Sequence, residues 1–254
     1  MAKHIGVETP DGVMGCYVAR PTGNLSWPAV IFYMDAGGVR RSMIAMAERI
    51  SAAGYYVVLP DLYYRHGEVP PFDMATVFSP GPERDRLMKL AGSVTPANLV
   101  RDTAALLDFL SRQAEVLGDA VGCTGYCMGG RCALTAAGNF PDRIAAAASF
   151  HGGRLATDAP DSPHLLAPRM RARVYIGVAG IDPGFPPAEL ARLEAALQAA
   201  HIDYKAEVYD GVSHGWAVSD TPVFDPPAAE RHWERLLGLF DTTLRPGLMR
   251  PRPE

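Results

Sequence analysis

Hydrophobic positions along the chain repeat with two periods. Continuous apolar runs at residues 29–34, 55–60, 120–124, 144–150 and 174–178 have strand length and no polar alternation, the pattern of strands buried on both faces of a parallel sheet. Residues 13–20 alternate loosely and predict an early antiparallel strand; residues 205–209 predict a late, short one. Between these runs the apolar spacing is helical. It predicts a helix over 41–53, with Met43, Ile44, Ala47 and Ile50 on one face and Gly54 behind it. Another is predicted over 98–117, carrying Leu99, Ala104, Leu106, Leu107 and Leu110 and closed by Gly118. Helix formers at 131–137, 187–200 and 228–239 predict three more. Strands alternating with helices imply an α/β fold, a mostly parallel central sheet with helices on both faces. No repeat or linker interrupts the pattern, so residues 1–254 are expected to form a single domain.

Two stretches break the rhythm. Residues 21–24 carry turn chemistry. Residues 61–96 are irregular and rich in proline, but Tyr63, Tyr64, Phe72 and Phe78 predict a packed cover segment. The Pro/Arg-rich tail after the last helix is expected to fray.

Composition narrows the field. The 254 residues are 48% hydrophobic with a net charge of −4 and no basic cluster, which argues against nucleic acid as a partner. No apolar run approaches the ~20 residues of a membrane span. The first residues lack the apolar segment of a secretory signal, so no membrane association and a cytoplasmic location are expected. A monomer or small homo-oligomer is expected. The 4 cysteines form no C-x-x-C and no zinc-like spacing with histidine; Cys16, Cys123 and Cys132 read as core fillers, and no metal site is expected.

Parallel sheets place functional groups at the carboxyl ends of their strands. The polar residues predicted there are Asp35, Asp61, Cys127, His151, Asp182 and His214. Gly125-Tyr126-Cys127-Met128-Gly129 lies between a strand and a helix, the context of a nucleophile elbow with cysteine in place of serine. A sharp turn leaves no room for side chains two residues either side of the nucleophile. The helix behind it aims free N–H groups and a positive dipole end at the thiolate and at a developing oxyanion. Cys127, Asp182 and His214 stand in the order nucleophile, acid, base. His151 competes for the base, but it precedes the acid.

These residues are similar to those of the dienelactone hydrolase family, carboxymethylenebutenolidase-like members of the α/β-hydrolase superfamily with a cysteine nucleophile. The resemblance rests on Gly125-Tyr126-Cys127-Met128-Gly129-Gly130, on Asp182 in Ala179-Gly180-Ile181-Asp182-Pro183, on Ser213-His214-Gly215 and on Pro60-Asp61-Leu62-Tyr63. It implies an α/β-hydrolase fold, a Cys127–His214–Asp182 triad acting on a small ester or lactone, and no cofactor. The oxyanion hole is expected from the N–H groups of Met128 and Ala36. Asp35 stands where family members carry a glutamate that contacts the resting thiol, and is read either as that acid or as a turn residue. Val218 stands where they carry an arginine for a substrate carboxylate. Tyr126, His151, Tyr64, Arg65 and Trp216 are candidates for the substrate pocket; Arg84 and Arg86 are further cations in the cover. The competing reading is a catalytically silent or redox-sensing protein of the same fold, with Cys127 as a reactive thiol.

Overall fold

The structure, a computed structural model, describes residues 1–23 and 25–245. Asn24 of the predicted turn and the predicted fraying tail lie outside the described residues.

Among the described residues, eight strands form one sheet in the order β1-β2-β4-β3-β5-β6-β7-β8. The first two, β1 (Lys3–Thr9) and β2 (Gly12–Ala19), are an antiparallel hairpin at one edge, and β2 also runs antiparallel to β4 (Tyr56–Pro60). From there the sheet is parallel through β3 (Trp27–Tyr33), β5 (Val116–Tyr126), β6 (Ile144–Phe150), β7 (Arg173–Ile181) and β8 (Tyr204–Ser213). Every residue of β3 and β4 is buried, which is why both read as unbroken apolar runs and why cover is needed on both faces.

The helices supply it. Helix α1 (Arg41–Ala52) buries Met43, Met46, Ala47 and Ile50, each of the larger side chains contributing about 1.5–3 kcal/mol. It meets α6 (Pro226–Leu244) through the Arg49–Glu230 ion pair and through Arg49 stacked over Trp233. Helix α3 (Pro96–Ser111) starts at Thr95, whose side chain accepts the Asn98 N–H, and Pro96 occupies the first turn, where its missing N–H costs nothing. Helices α4 (Met128–Asn139) and α5 (Pro187–Ala199) follow β5 and β7. Under the sheet's centre Tyr126 stacks on Phe150 and hydrogen-bonds through its hydroxyl to His232 Nε2 at 2.8 Å.

Several boundaries differ from the sequence reading. Strand β1 was not anticipated: only Val7 of its residues is buried, so the apolar pattern is faint. The cover is less irregular than expected, because Pro82–Ser93 forms α2, started by Pro82 with Glu83 and Asp85 in its first turn. Helix α3 ends at Ser111, short of the predicted residue 117. Leu117 is 49% exposed and Gly118 has φ 69°, so the last residues of that apparent stripe belong to the entry of β5.

Candidate active site

The turn after β5 is as tight as its glycines suggest. Cys127 has φ 54° and ψ −116°, a left-handed conformation that is strained for a residue with a side chain. Its N–H is held by the Phe150 carbonyl at 3.1 Å, and α4 begins at the next residue. A Cβ on Gly125 would lie 2.0 Å from the Gly129 carbonyl oxygen, and one on Gly129 would lie 2.3 Å from the Tyr33 carbonyl oxygen. Of the first N–H groups of α4, that of Gly130 donates to the Cys127 carbonyl at 3.1 Å. Helix geometry leaves those of Met128 and Gly129 without an acceptor inside the helix, beside the half-buried Cys127.

Asp182 and His214 are the first residues after β7 and β8. The His214 N–H donates to the Ile181 carbonyl at 3.3 Å, which binds the two strand ends together. Asp182 Oδ2 lies 2.7 Å from His214 Nδ1, and Asp182 Oδ1 accepts the Gly184 N–H at 2.9 Å. Burial of the His214 ring disfavours its charge. The hydrogen bond to Asp182 and the interaction with Cys127 outweigh that and push its pKa up from 6.5 to about 10. The arrangement is an acid-oriented imidazolium facing a cysteine.

On the other side of Cys127, the turn after β3 is closed by the Gly38 N–H on the Asp35 carbonyl at 3.1 Å. Ala36 and Met128, the two expected oxyanion donors, are buried here. Tyr63, read from the sequence as a packing aromatic of the cover and not as a site residue, touches both. Its hydroxyl donates to the Ala36 carbonyl at 2.8 Å and lies 3.9 Å from Met128 Sδ. Asp61 accepts the Tyr63 N–H at 2.9 Å and so orders the start of the cover.

The remaining candidates divide. Asp35 is turned to Arg40 and away from any role as a thiol partner: its Oδ1 accepts from Arg40 Nη1 at 2.6 Å and from the Gly37 N–H, and its Oδ2 accepts from Arg40 Nη2 at 2.9 Å. Tyr126 is fully buried in the core beneath the elbow, so its side chain does not line a pocket. Tyr64 and Arg65 hydrogen-bond to buried Asp102 on α3, and Arg65 also pairs with Asp11 in the β1–β2 turn; they fasten the cover to the scaffold. Trp216 is fully buried against Tyr209 and His151. His151 comes nearest to the chemistry. Its ring packs edge-on against His214 with centroids 5.0 Å apart, and neither ring nitrogen has a hydrogen-bond partner among the described residues. Burial and the adjacent His214 charge hold its pKa well below 6.5, so it is a neutral neighbour of the ring that Asp182 orients. Val218 is fully buried, and Arg86 is occupied by Glu83, the Pro70 carbonyl and the face of Phe72. No group of three His, Cys, Asp or Glu side chains suited to a metal ion occurs among the described residues.

Comparison with known proteins bears on the family and the fold. A protein from Synechocystis sp., provisionally named carboxymethylenebutenolidase, is 27% identical over 233 residues, covering 90% of this chain and 92% of its own. The crystal structure of a provisionally titled dienelactone hydrolase from Klebsiella pneumoniae superposes with a TM-score of 0.82 at 22% identity, covering 94% of this chain and 98% of its own. A dienelactone hydrolase-like promiscuous phosphotriesterase from metagenomic libraries does so with a TM-score of 0.75 at 23% identity, covering 95% and 98%. These two show a shared α/β-hydrolase fold. Residues 14–244 match the sequence profile of the dienelactone hydrolase family, which includes the elbow and both strand-end loops, and the chain belongs to that family of hydrolases.

Proposed function

We propose that this protein hydrolyses a small lactone or ester by acyl transfer through a thioester on Cys127. The observation that carries the reading is the 2.7 Å contact of His214 Nδ1 with Asp182, with Cys127 facing the same ring from a left-handed turn. In this scheme the Cys127 thiolate attacks the carbonyl carbon, and the carbonyl electrons move onto oxygen. That oxyanion is met by the N–H groups of Met128 and Ala36. Collapse of the intermediate breaks the carbon–oxygen bond, and His214 gives its proton to the leaving alcohol, which stays tethered when the substrate is a lactone. Neutral His214 then takes a proton from water as the water attacks the thioester, and the thiolate leaves. Asp182 fixes the tautomer and steadies the imidazolium. Buried Val218, together with Arg65 and Arg86 engaged elsewhere, supports an acyl group without a carboxylate.

Mixing the protein with p-nitrophenyl acetate tests the reading. The wild type should release about one equivalent of nitrophenol per protein in a burst and then turn over, the kinetic mark of an acyl-enzyme. Cys127→Ala should show neither phase, and His214→Ala should slow acylation by roughly 10³-fold or more. Undiminished turnover by Cys127→Ala would overturn the assignment. A wild-type burst without turnover is the result expected of a reactive-thiol sensor.

A further inference from the structure

One guanidinium joins the two halves of the site. Arg40 is extended at the residue before α1, with φ −152° and ψ 176°. An arginine has five N–H donors in a rigid fork, and here each has an acceptor. Nη1 donates to Asp35 Oδ1 at 2.6 Å and to the Gly38 carbonyl at 3.1 Å. Nη2 donates to Asp35 Oδ2 and to Asp220 Oδ1, both at 2.9 Å, and Nε donates to Asp220 Oδ2 at 2.7 Å. The Arg40 side chain is 10% exposed and that of Asp35 is 6% exposed. Arg40 and Asp220 are separated by 180 positions in the chain.

The two carboxylates occupy different loops of the site. Asp35 opens the turn that presents the Ala36 N–H. Asp220 lies in the loop that follows His214, and Ser42 Oγ also donates to it at 2.7 Å. That loop is internally tied, with the Val218 N–H on the Gly215 carbonyl, Thr221 Oγ1 on the same carbonyl and the Asp225 N–H on the Trp216 carbonyl. What holds Asp220 therefore holds Gly215, the residue next to His214. Without Arg40, Asp35 would be a buried carboxylate facing no cation, beside the position where negative charge develops during acyl transfer.

We propose that Arg40 is a positioning residue of this site, neutralising Asp35 at the oxyanion turn and tying that turn to the His214 loop through Asp220. The inference rests on the acyl-transfer reading for its consequence on turnover, and on geometry alone for its consequence on the thiol. A lysine could supply the charge but not the fork, so Arg40→Lys is not a conservative replacement.

The test uses Arg40→Gln, Arg40→Lys, Asp220→Asn and the double variant Asp35→Asn/Arg40→Gln, each checked for folding by circular dichroism. Two readouts are taken: kcat and KM for p-nitrophenyl acetate, and the rate at which iodoacetamide alkylates Cys127, followed by mass spectrometry. Arg40→Gln should lower kcat by about 100-fold with KM within about 3-fold, and should slow alkylation about 10-fold. Removing the stranded charge in the double variant should restore at least about 10-fold of kcat and most of the alkylation rate, a recovery that a purely structural role would not give. Arg40→Lys should still lose about 10-fold in kcat. Asp220→Asn leaves Asp35 paired, so alkylation should stay within about 2-fold while kcat falls about 10-fold. A folded Arg40→Gln with wild-type kcat and alkylation rate overturns the proposal, as does a double variant no better than the single one. If the wild type fails to turn over the ester, the acyl-transfer reading falls, and the alkylation rates still decide for or against the clamp.

Discussion

Cys127 and Asp182 could be read from the chain because each stands just past a strand with a continuous apolar run. His214 follows β8, which buries only Tyr209 and Val212, and was legible from its place a few residues beyond a weak strand and from the order nucleophile, acid, base. The partners of Asp35 were not. Nothing in the local pattern says whether a carboxylate after a strand will meet a thiol, a backbone N–H or an arginine; here it meets nearby Arg40, whose guanidinium is also held by Asp220, far along the chain. The buried, unpartnered His151 was legible as a strand-end residue but not as a neutral ring against His214, since that depends on packing. Two consequences belong to this scale. Asp182→Asn keeps the shape of the His214 contact but loses its charge and disturbs the tautomer; kcat for p-nitrophenyl acetate should fall roughly 10³–10⁴-fold in a protein whose circular dichroism spectrum matches that of the wild type. The second concerns pH. The folded pKa of His214, about 10, lies above its ordinary 6.5. Charged His214 therefore stabilises the folded state, fully below pH 6.5, and that contribution is lost as pH rises through 10. The gap in unfolding free energy between wild type and His214→Gln, from urea titrations, should be widest near pH 6 and close toward pH 10. A gap that widened with pH would contradict the ion pair.

At the level of elements, the strongly periodic pieces were legible and the weakly buried ones were not. Helix α1 and strands β3 and β4 have one buried stripe or none exposed. Strand β1 and helix α2 bury only one and two residues, so their pattern is carried by backbone pairing and by first-turn proline and acids, which a hydrophobic reading overlooks. The cover is secured by charge as well as by apolar contact. Arg65 holds Asp102, which is 1% exposed on α3, and Asp11 in the β1–β2 turn at the same time. Arg65→Ala strands the buried Asp102 and should destabilise the protein by about 3–5 kcal/mol in urea unfolding. Arg86→Ala, whose partner Glu83 is exposed, should leave the urea midpoint nearly unchanged by comparison.

Across the whole molecule the sheet sorts the thiols. Cys16, Cys123 and Cys132 are buried, and burial pushes the first and last up to about 12 and Cys123 higher still than its ordinary 9.0. Cys127 is the one of the four with a partly exposed side chain. Native protein should therefore react with Ellman's reagent at one thiol within the dead time of slow labelling and at 4 in denaturant; two or more fast thiols in the native state would contradict this burial. The α/β class was legible because parallel sheets demand continuous apolar strands. The order of the eight strands was not, because pairing between β2 and β4 leaves no mark in either sequence.

The elbow also divides its own residues into replaceable and irreplaceable ones. A methyl group at Gly125, Gly129 or Gly130 would enter the Gly129 carbonyl, the Tyr33 carbonyl or the Ser149 hydroxyl, all closer than 2.5 Å. The side chain of residue 127 is instead half-buried, packed against the edge of the core and facing the His214 ring, at a strained backbone angle. A lineage drifting through sequence space could thus exchange sulfur for oxygen at 127 in a single step and keep the surrounding architecture, testing a new nucleophile without rebuilding its pedestal. The glycines permit no such experiment, and they are the part of this motif that descent can least afford to alter.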